Sequence, residues 1–252
     1  MIFNVGSRRS GTYWLQRITC AHPAVAEVPS ETYVFSHGIA PLMERFQHEE
    51  RASQEVGKVY ADRGRLIAAV RNLCDTVFGE FARSGGAYAA ERTPWHVYHL
   101  HLIAEVYPDA SFVHIIRDGR DVARSIVAQP WGPNDVREAA EEWRSSVEAG
   151  RAAAPLLGER LLELHYEDLL ADPTSEIARL YAHHGLDGGL DAALAAAGVK
   201  ANIGKHDRRV GSGKWRDGWS QRELRDFEEA AGDLVRELGY DQGSTRTAAH
   251  QP

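Results

Sequence analysis

Residues 2–12, IFNVGSRRSGT, are the stretch that decides the fold of this chain. A strand-like run leads into a loop in which Gly6 and Gly11 enclose two arginines, and an amphipathic run follows directly. Backbone N–H groups at the start of a helix bind anions, and the guanidinium of Arg9 can make two parallel hydrogen bonds to one oxyanion. The stretch therefore predicts a buried strand, an anion-binding loop and a helix, with an ordinary glycine turn as the alternative.

The loop differs at one position from the phosphate loop of nucleoside triphosphatases. Those proteins follow the second glycine with a lysine that reaches the terminal phosphates. Gly6 and Gly11 keep the same offset here, but Thr12 occupies the position of that lysine. A P-loop kinase or a nucleotide-binding protein without transfer activity is the alternative interpretation, and the missing lysine argues against a kinase.

The composition is that of a globular protein without a general affinity for nucleic acids. The 252 residues are 43% hydrophobic and 26% charged, and the net charge is −7. No apolar stretch approaches the roughly 20 residues of a membrane span, and we expect no signal peptide before Ile2. We expect a single cytoplasmic domain over residues 1–252, with Cys20 and Cys74 as reduced core thiols.

Strand-like and helix-like segments alternate along the chain. The predicted strands are residues 2–6, 25–28, a short run before Thr93, 111–117 and 161–165. The predicted helical segments are 11–20, 36–81 with breaks near Gly57 and Gly64, 95–107, a turn and helix start at 118–126, 134–153, a capped helix at 172–185, 190–197 and 221–238. This alternation predicts an α/β three-layer sandwich with a central, mostly parallel sheet, like that of P-loop nucleotide hydrolases.

A second strand–turn–helix unit carries the other candidate anion ligands. Arg117 ends the strand SFVHIIR, and Ser125 follows eight residues later in the next helix. Open α/β sheets bind ligands at the carboxyl ends of their strands, so both basic units are expected to face one crevice. A salt bridge is the alternative role for Arg117.

Six segments together resemble the sulfotransferases that use 3′-phosphoadenosine 5′-phosphosulfate (PAPS). They are RRSGTYWL (8–15), AHPAVAEVPSET (21–32), ERTPWH (91–96), RDGRDVARS (117–125), LHYEDLLADP (164–173) and, more loosely, RRVGSGKW (208–215). Several are similar to the tyrosylprotein and bacterial branches of that family. The resemblance implies an enzyme that moves a sulfuryl group from PAPS to an acceptor hydroxyl or amine, by metal-free in-line transfer, and releases adenosine 3′,5′-bisphosphate (PAP).

The resemblance also implies where the nucleotide binds. The phosphosulfate ligands it implies are Arg8, Arg9, Ser10, Gly11, Thr12 and Tyr13. Trp14 matches an adenine-stacking tryptophan, with a core tryptophan as the alternative, and Arg117 and Ser125 match the 3′-phosphate ligands. A lid loop at residues 203–219 supplies further candidate nucleotide ligands: Arg208, Arg209, Ser212, Gly213 and Lys214. The sequence does not decide which of the three basic residues binds the 3′-phosphate.

Catalysis requires a cation at the leaving oxygen and a base for the acceptor proton. Fixed cations stabilise the charge that develops on the departing phosphate, and Arg9 is the first choice for this, with Arg92 second. Glu31 matches the catalytic glutamate of the tyrosylprotein branch, whereas His96 lies near the position of the catalytic histidine of cytosolic members. Both remain open as the base, and Glu27 and His37 are minor alternatives.

The acceptor is left open by the sequence. Residues 33–90 are expected to form a helical acceptor-binding region, and residues 241–252 a frayed tail. Candidates for an apolar acceptor wall are Tyr33, Phe35, Phe46, Tyr60 and Phe78, with core packing as the alternative. A small molecule, a glycolipid or a carbohydrate could accept the group, and a homodimer is an open alternative to a monomer. No metal site is expected.

Overall fold

The computed structural model describes residues 1–45, 63–82, 86–198, 212–216 and 218–240. Its five strands are β1 (Ile2–Gly6), β2 (Val25–Glu27), β3 (Tyr88–Glu91), β4 (Ser111–Ile116) and β5 (Leu161–His165). The strands form one sheet in the order β2-β3-β1-β4-β5, and every pair is parallel. The carboxyl ends of all five strands therefore meet at one edge of the sheet, and Arg9, Arg92 and Arg117 follow the ends of β1, β3 and β4 there.

Helices cover both faces of this sheet. The α-helices are α1 (Thr12–Thr19), α2 (Arg63–Ala82), α3 (Leu100–Val106), α4 (Gly119–Val127), α5 (Val136–Ala152), α6 (Ala154–Leu157), α7 (Tyr166–Ala171), α8 (Pro173–His183), α9 (Leu190–Gly198) and α10 (Gln221–Glu237). A π-helical turn (Val34–Ile39) leads into helical residues 40–45, and short 3₁₀ turns lie at Pro94–His99, Gly158–Arg160 and Lys214–Arg216. The predicted three-layer α/β sandwich is confirmed.

Strand β1 shows why the sheet is central. All five of its residues are buried, as expected for a parallel strand covered on both faces. Phe3 and Val5 pack into the cluster beneath α2 and α3, whereas Ile2 packs into the cluster under α1. Asn4 also faces α1 and donates to Gln16 Oε1 at 2.8 Å. This buried polar contact fixes the helix that follows the first loop over the sheet.

Local boundaries show where the predictions hold and where they do not. Arg63–Ala82 is one helix that begins beside Gly64, and residues 46–62, including Gly57, lie outside the described residues, so the predicted breaks stay predictions. The prediction of a helix over 95–107 is wrong at its start: the segment after Thr93 begins as a 3₁₀ turn with Pro94 at its first position and becomes α-helical only at Leu100. The frayed tail predicted at residues 241–252 also lies outside the described residues.

Two of the predicted acceptor-wall aromatics belong to the core. Phe35 and Phe78 are fully buried, and both pack edge-on against Phe3 of the central strand. Phe46 and Tyr60 lie outside the described residues. Tyr33 alone of the five candidates is described at the carboxyl edge of the sheet and partly exposed.

Candidate functional site

The first loop has the form of an anion cradle. Gly11 has φ 106°, and a Cβ there would lie 2.7 Å from the ring of Tyr166, so only glycine allows this close approach. Ser10 Oγ donates to Ser7 O at 2.6 Å and tightens the turn. Helix α1 begins at Thr12, and the N–H groups of a first helical turn have no partner within the helix. These amides therefore remain available to an anion bound at the loop.

Arg8 and Arg9 point to different partners although they are adjacent. Arg8 donates twice to Glu142 of α5, from Nε at 2.7 Å and from Nη2 at 2.5 Å. Its guanidinium also lies between two indoles, 5.3 Å from the centre of Trp95 and 4.4 Å from that of Trp131. The sequence grouped Arg8 with the phosphosulfate ligands, but these contacts engage it with α5 and fasten the loop to that helix.

Arg9 joins the first loop to the second basic unit. Its Nε donates to Ser125 Oγ at 2.9 Å, and its backbone oxygen accepts a 3.4 Å bond from Arg117. The guanidinium of Arg117 lies 4.4 Å from the centre of the Tyr166 ring. The structure therefore brings Arg9, Arg117 and Ser125 together at one position on the sheet edge, as the sequence predicted.

Asp121 connects this cluster to the lid segment. Its carboxylate accepts bonds from the backbone N–H of Gly213 at 2.7 Å and of Trp215 at 3.0 Å, and it contacts Arg117 at 3.5 Å. Ser212 Oγ donates to Glu167 at 3.3 Å. The described part of the lid, with Ser212, Gly213 and Lys214, is thus anchored beside the predicted 3′-phosphate ligands. Arg208 and Arg209 lie outside the described residues.

Glu167 is a buried carboxyl beside that anchor. Burial raises its pKa to about 7, although Tyr240 donates to it at 2.8 Å and the N–H of Asp118 donates at 3.2 Å. Glu167, Asp121 and Glu142 could not be found from the sequence, because each has a partner that is far away in the chain.

Glu31 and Arg92 form a pair on the other side of the loop. Arg92 Nη1 donates to Glu31 Oε1 at 3.0 Å, and the guanidinium lies 4.7 Å from the centre of the Tyr13 ring. The buried Nε of Arg92 has no hydrogen-bond partner among the described residues. A buried cationic donor without a partner fits a site that receives an anionic group.

His96 lies in a different environment from Glu31. Its side chain is fully buried; Nδ1 lies 3.0 Å from Glu91 Oε2, and Nε2 accepts a 3.3 Å bond from the N–H of Phe35. These partners assign a neutral imidazole whose Nδ1–H donates to the carboxylate. Both ring nitrogens are therefore engaged within the protein, and the geometry favours Glu31 over His96 as the group that meets an acceptor.

Glu91 holds this buried network together. Burial alone would raise its pKa, but the contact with His96 and the bonds from Thr93 and Thr32 lower it below the ordinary value. Both threonine hydroxyls donate to Glu91 Oε1, that of Thr93 at 2.5 Å and that of Thr32 at 2.9 Å. The network thereby fixes the segment that carries Glu31.

Trp14 lies in the hydrophobic core under α1. It is 5% exposed, its Nε1 donates to Ala197 O at 3.2 Å, and its ring packs edge-on against Tyr166. These contacts favour the core alternative over adenine stacking. Tyr13, by contrast, is 41% exposed beside Arg92.

Two general features of the described residues bear on the site. Groups of three or more His, Cys, Asp or Glu side chains placed to bind a metal ion do not occur within the described ranges. The helices within those same ranges fall short of the length and hydropathy needed to cross a bilayer.

The fold and the site together define an α/β protein whose anion-binding loops lie at the carboxyl edge of a parallel sheet. The sequence matches the Sulfotransferase family over residues 2–190, and the chain belongs to that family. The predicted family is thereby confirmed.

Relatives and solved structures agree with this assignment. The chain is 23% identical over 188 residues to protein-tyrosine sulfotransferase A of Caenorhabditis elegans, covering 71% of this chain and 48% of the relative. It is also 32% identical over 111 residues to the omega-hydroxy-beta-dihydromenaquinone-9 sulfotransferase Stf3 of Mycobacterium bovis. That match covers 38% of this chain and 28% of the relative. The chain thus spans about half, or less, of these curated relatives.

The fold is shared with solved sulfotransferases. The sulfotransferase domain of the Synechococcus PCC 7002 olefin synthase gives a TM-score of 0.61 at 19% identity, over 93% of this chain and 94% of that one. Mouse sulfotransferase SULT7A1, solved with PAP, gives a TM-score of 0.58 at 16% identity, over 93% of this chain and 84% of the mouse chain.

Proposed function

We propose that this protein transfers a sulfuryl group from PAPS to a hydroxyl of an acceptor. The observation that carries the proposal is the convergence of Arg9, Ser125 and Arg117 at the carboxyl edge of the sheet. Two separate basic loops at one edge suit a nucleotide with phosphates at both its 5′ and 3′ positions. The alternative of a P-loop kinase lacks its lysine at position 12 and is not favoured.

The first loop and Arg92 serve the donor end of this reaction. Loop amides and Arg9 bind the 5′-phosphosulfate, and Arg92 supplies the second cation through its unpartnered Nε. As the bond between sulfur and the bridging oxygen breaks, negative charge develops on the departing phosphate. Arg9 and Arg92 stabilise that charge where it appears, which lowers the barrier to transfer.

Arg117 and Ser125 bind the 3′-phosphate in this proposal. Asp121 holds Arg117 and the Ser212–Trp215 segment in register, so Ser212, Gly213 and Lys214 lie near the same phosphate. The remaining lid candidates, Arg208 and Arg209, stay a sequence-based hypothesis.

Glu31 serves as the base for the acceptor. The acceptor oxygen forms the new bond to sulfur, its proton passes to the Glu31 carboxylate, and PAP leaves with the bridging oxygen. Glu31 is 29% exposed in its side chain, so an acceptor can reach it, whereas His96 is fully buried. A small molecule is the acceptor class that we propose, with a glycolipid or a carbohydrate as further candidates.

A binding experiment tests the donor half of the proposal. Calorimetry should show PAP binding that does not depend on Mg²⁺ and is tighter than ATP binding under the same conditions. A preference for ATP with Mg²⁺ would contradict the proposal and favour a kinase-like protein.

A transfer experiment tests the other half. The protein is incubated with PAPS and a panel of hydroxylated compounds, and mass spectrometry looks for the gain of one SO₃. We expect transfer to at least one compound and its loss in Arg9→Ala. PAP binding without any transfer or PAPS turnover would indicate a nucleotide-binding protein that has lost catalysis.

A further inference from the structure

The Glu31 carboxylate is held by a second side chain that the sequence did not predict. One oxygen, Oε1, accepts the bond from Arg92, and the other, Oε2, accepts a hydrogen bond from the hydroxyl of Tyr33. Each oxygen of the carboxylate therefore has its own donor, and the plane of the carboxylate is fixed between them. Tyr33 is therefore more than an apolar candidate for the acceptor wall, because its hydroxyl contacts the Glu31 carboxylate.

The backbone of Tyr33 is held in an unusual conformation. Its φ of 53° lies in the left-handed region, and among described non-glycine residues only Arg9 shares a positive φ. The N–H of Tyr33 donates to Thr93 Oγ1 at 3.3 Å, and its carbonyl accepts a 2.8 Å bond from His37 N–H. Strained backbone of this kind persists when surrounding contacts determine it, and it concentrates at functional sites.

The Tyr33 ring is positioned independently of its hydroxyl. It packs edge-on against His37 with ring centres 4.9 Å apart, in a contact that a phenylalanine would keep. Donation to Glu31 raises the pKa of Tyr33 to about 12, with burial and the Glu31 charge adding to the effect. The hydroxyl therefore stays protonated at neutral pH and acts as a donor.

We propose that Tyr33 is a positioning residue for the sulfuryl transfer. It orients Glu31 through Oε2 and stabilises the ionised carboxylate, so that the remaining lone pair of that oxygen faces the acceptor hydroxyl. The inference rests on the proposed role of Glu31 as base. The charged groups near the Tyr33–Glu31 hydrogen bond are Arg92 and Arg8. His37, which packs against the Tyr33 ring, is the neighbouring titratable group.

The direct test observes the Glu31 carboxyl itself. Carbon-13 NMR of the labelled glutamate carboxyl follows its signal against pH in the full chain, and Glu31→Gln assigns the signal. Tyr33→Phe removes one donor to the carboxylate, so the pH dependence of this signal should change. Tyr181→Phe is the matched control: it removes a tyrosine hydroxyl that donates to Ile18 O under α1, away from Glu31, and the Glu31 signal should not move.

A kinetic test uses PAPS with water as the acceptor and measures release of inorganic sulfate. Tyr33→Phe should lower the maximal rate about 10- to 100-fold, with the KM for PAPS and the affinity for PAP unchanged. The acid limb of the rate profile should differ between Tyr33→Phe and the wild type. Unchanged PAP affinity shows that the variant is folded.

The outcomes separate this inference from the proposed function. If the Glu31 signal titrates identically in wild type and Tyr33→Phe, the positioning role is overturned, whatever the activity. If Glu31→Gln releases sulfate at the wild-type rate, Glu31 is not the base, and the proposed mechanism fails independently of the NMR result.

Discussion

Arg9 Nε donates a hydrogen bond to Ser125 Oγ at 2.9 Å, although 116 residues separate the two in the chain. The bond joins the loop after β1 to the helix after β4. These are adjacent strands of the sheet, with Gly6 paired to Ile115 at the end of the ladder. The sheet register therefore sets the distance between the two basic units.

The first prediction concerns Arg117. Arg117→Ala should weaken PAP binding about 10- to 100-fold, because it removes charge-assisted hydrogen bonds to the 3′-phosphate. Binding of adenosine 5′-phosphate should change far less. Calorimetry with both nucleotides checks this, with Arg222→Ala, an 85% exposed arginine, as the charge-matched control. Equal losses for the two nucleotides would refute the 3′-phosphate assignment.

The second prediction concerns Asp121, which accepts two amides of the lid segment. Asp121→Asn keeps the size of the side chain but replaces one acceptor oxygen with a donor, so at least one of the amides of Gly213 and Trp215 loses its bond. Hydrogen exchange at these amides should accelerate, and PAP affinity should fall. Exchange as slow as in the wild type would show that Asp121 does not anchor the segment.

The third prediction separates His96 from Glu31. His96→Ala removes a neutral donor from the buried Glu91 carboxylate and should lower the free energy of unfolding by about 1.5–3 kcal/mol. Glu31→Gln should leave stability nearly unchanged and lower turnover about 10²- to 10⁴-fold. Urea unfolding and sulfate release measure the two effects. A stable His96→Ala protein without activity would instead favour His96 as the base.

The fourth prediction is a dependence of stability on pH that arises at His114. The residue is fully buried on β4, and burial lowers its pKa from 6.5 to about 4, with Arg151 and His165 adding to the effect against Glu163. At pH values between about 4 and 6.5, His114 is therefore protonated in the unfolded chain and neutral in the folded chain. Stability is fully present above about pH 6.5 and falls as the pH drops toward 4.

The size of this effect is measurable. Between about pH 7.5 and pH 5, His114 alone should remove about 2 kcal/mol from the free energy of unfolding. Burial also lowers the pKa of His184, to about 3, so His184 acts in the same direction. Its contribution remains when His114 is replaced. Urea unfolding of His114→Leu should show a smaller difference between the two pH values than wild type does. An unchanged difference would exclude His114 as the source.

The sequence predicted those parts of the site that depend on the carboxyl edge of a parallel sheet. Strand and helix periodicity located the two basic loops, and sheet topology then required them to meet. It did not reveal Glu142 as the partner of Arg8, because 134 residues separate them and an arginine beside a phosphate loop is normally assigned to the ligand. Nor did it reveal that the imidazole of His96 is enclosed by Glu91 and Phe35.

The left-handed backbone of Arg9 has a consequence for protein engineering. Its φ of 68° is one that glycine adopts without steric cost, whereas other residues lose about 1–2 kcal/mol there. Arg9→Gly relieves this strain, but it also removes the hydrogen bond to Ser125 Oγ and gives the unfolded chain the greater freedom of glycine, so the net change in stability should be small. A library selected for heat resistance alone therefore does not retain the guanidinium at this position, because its loss costs the fold little.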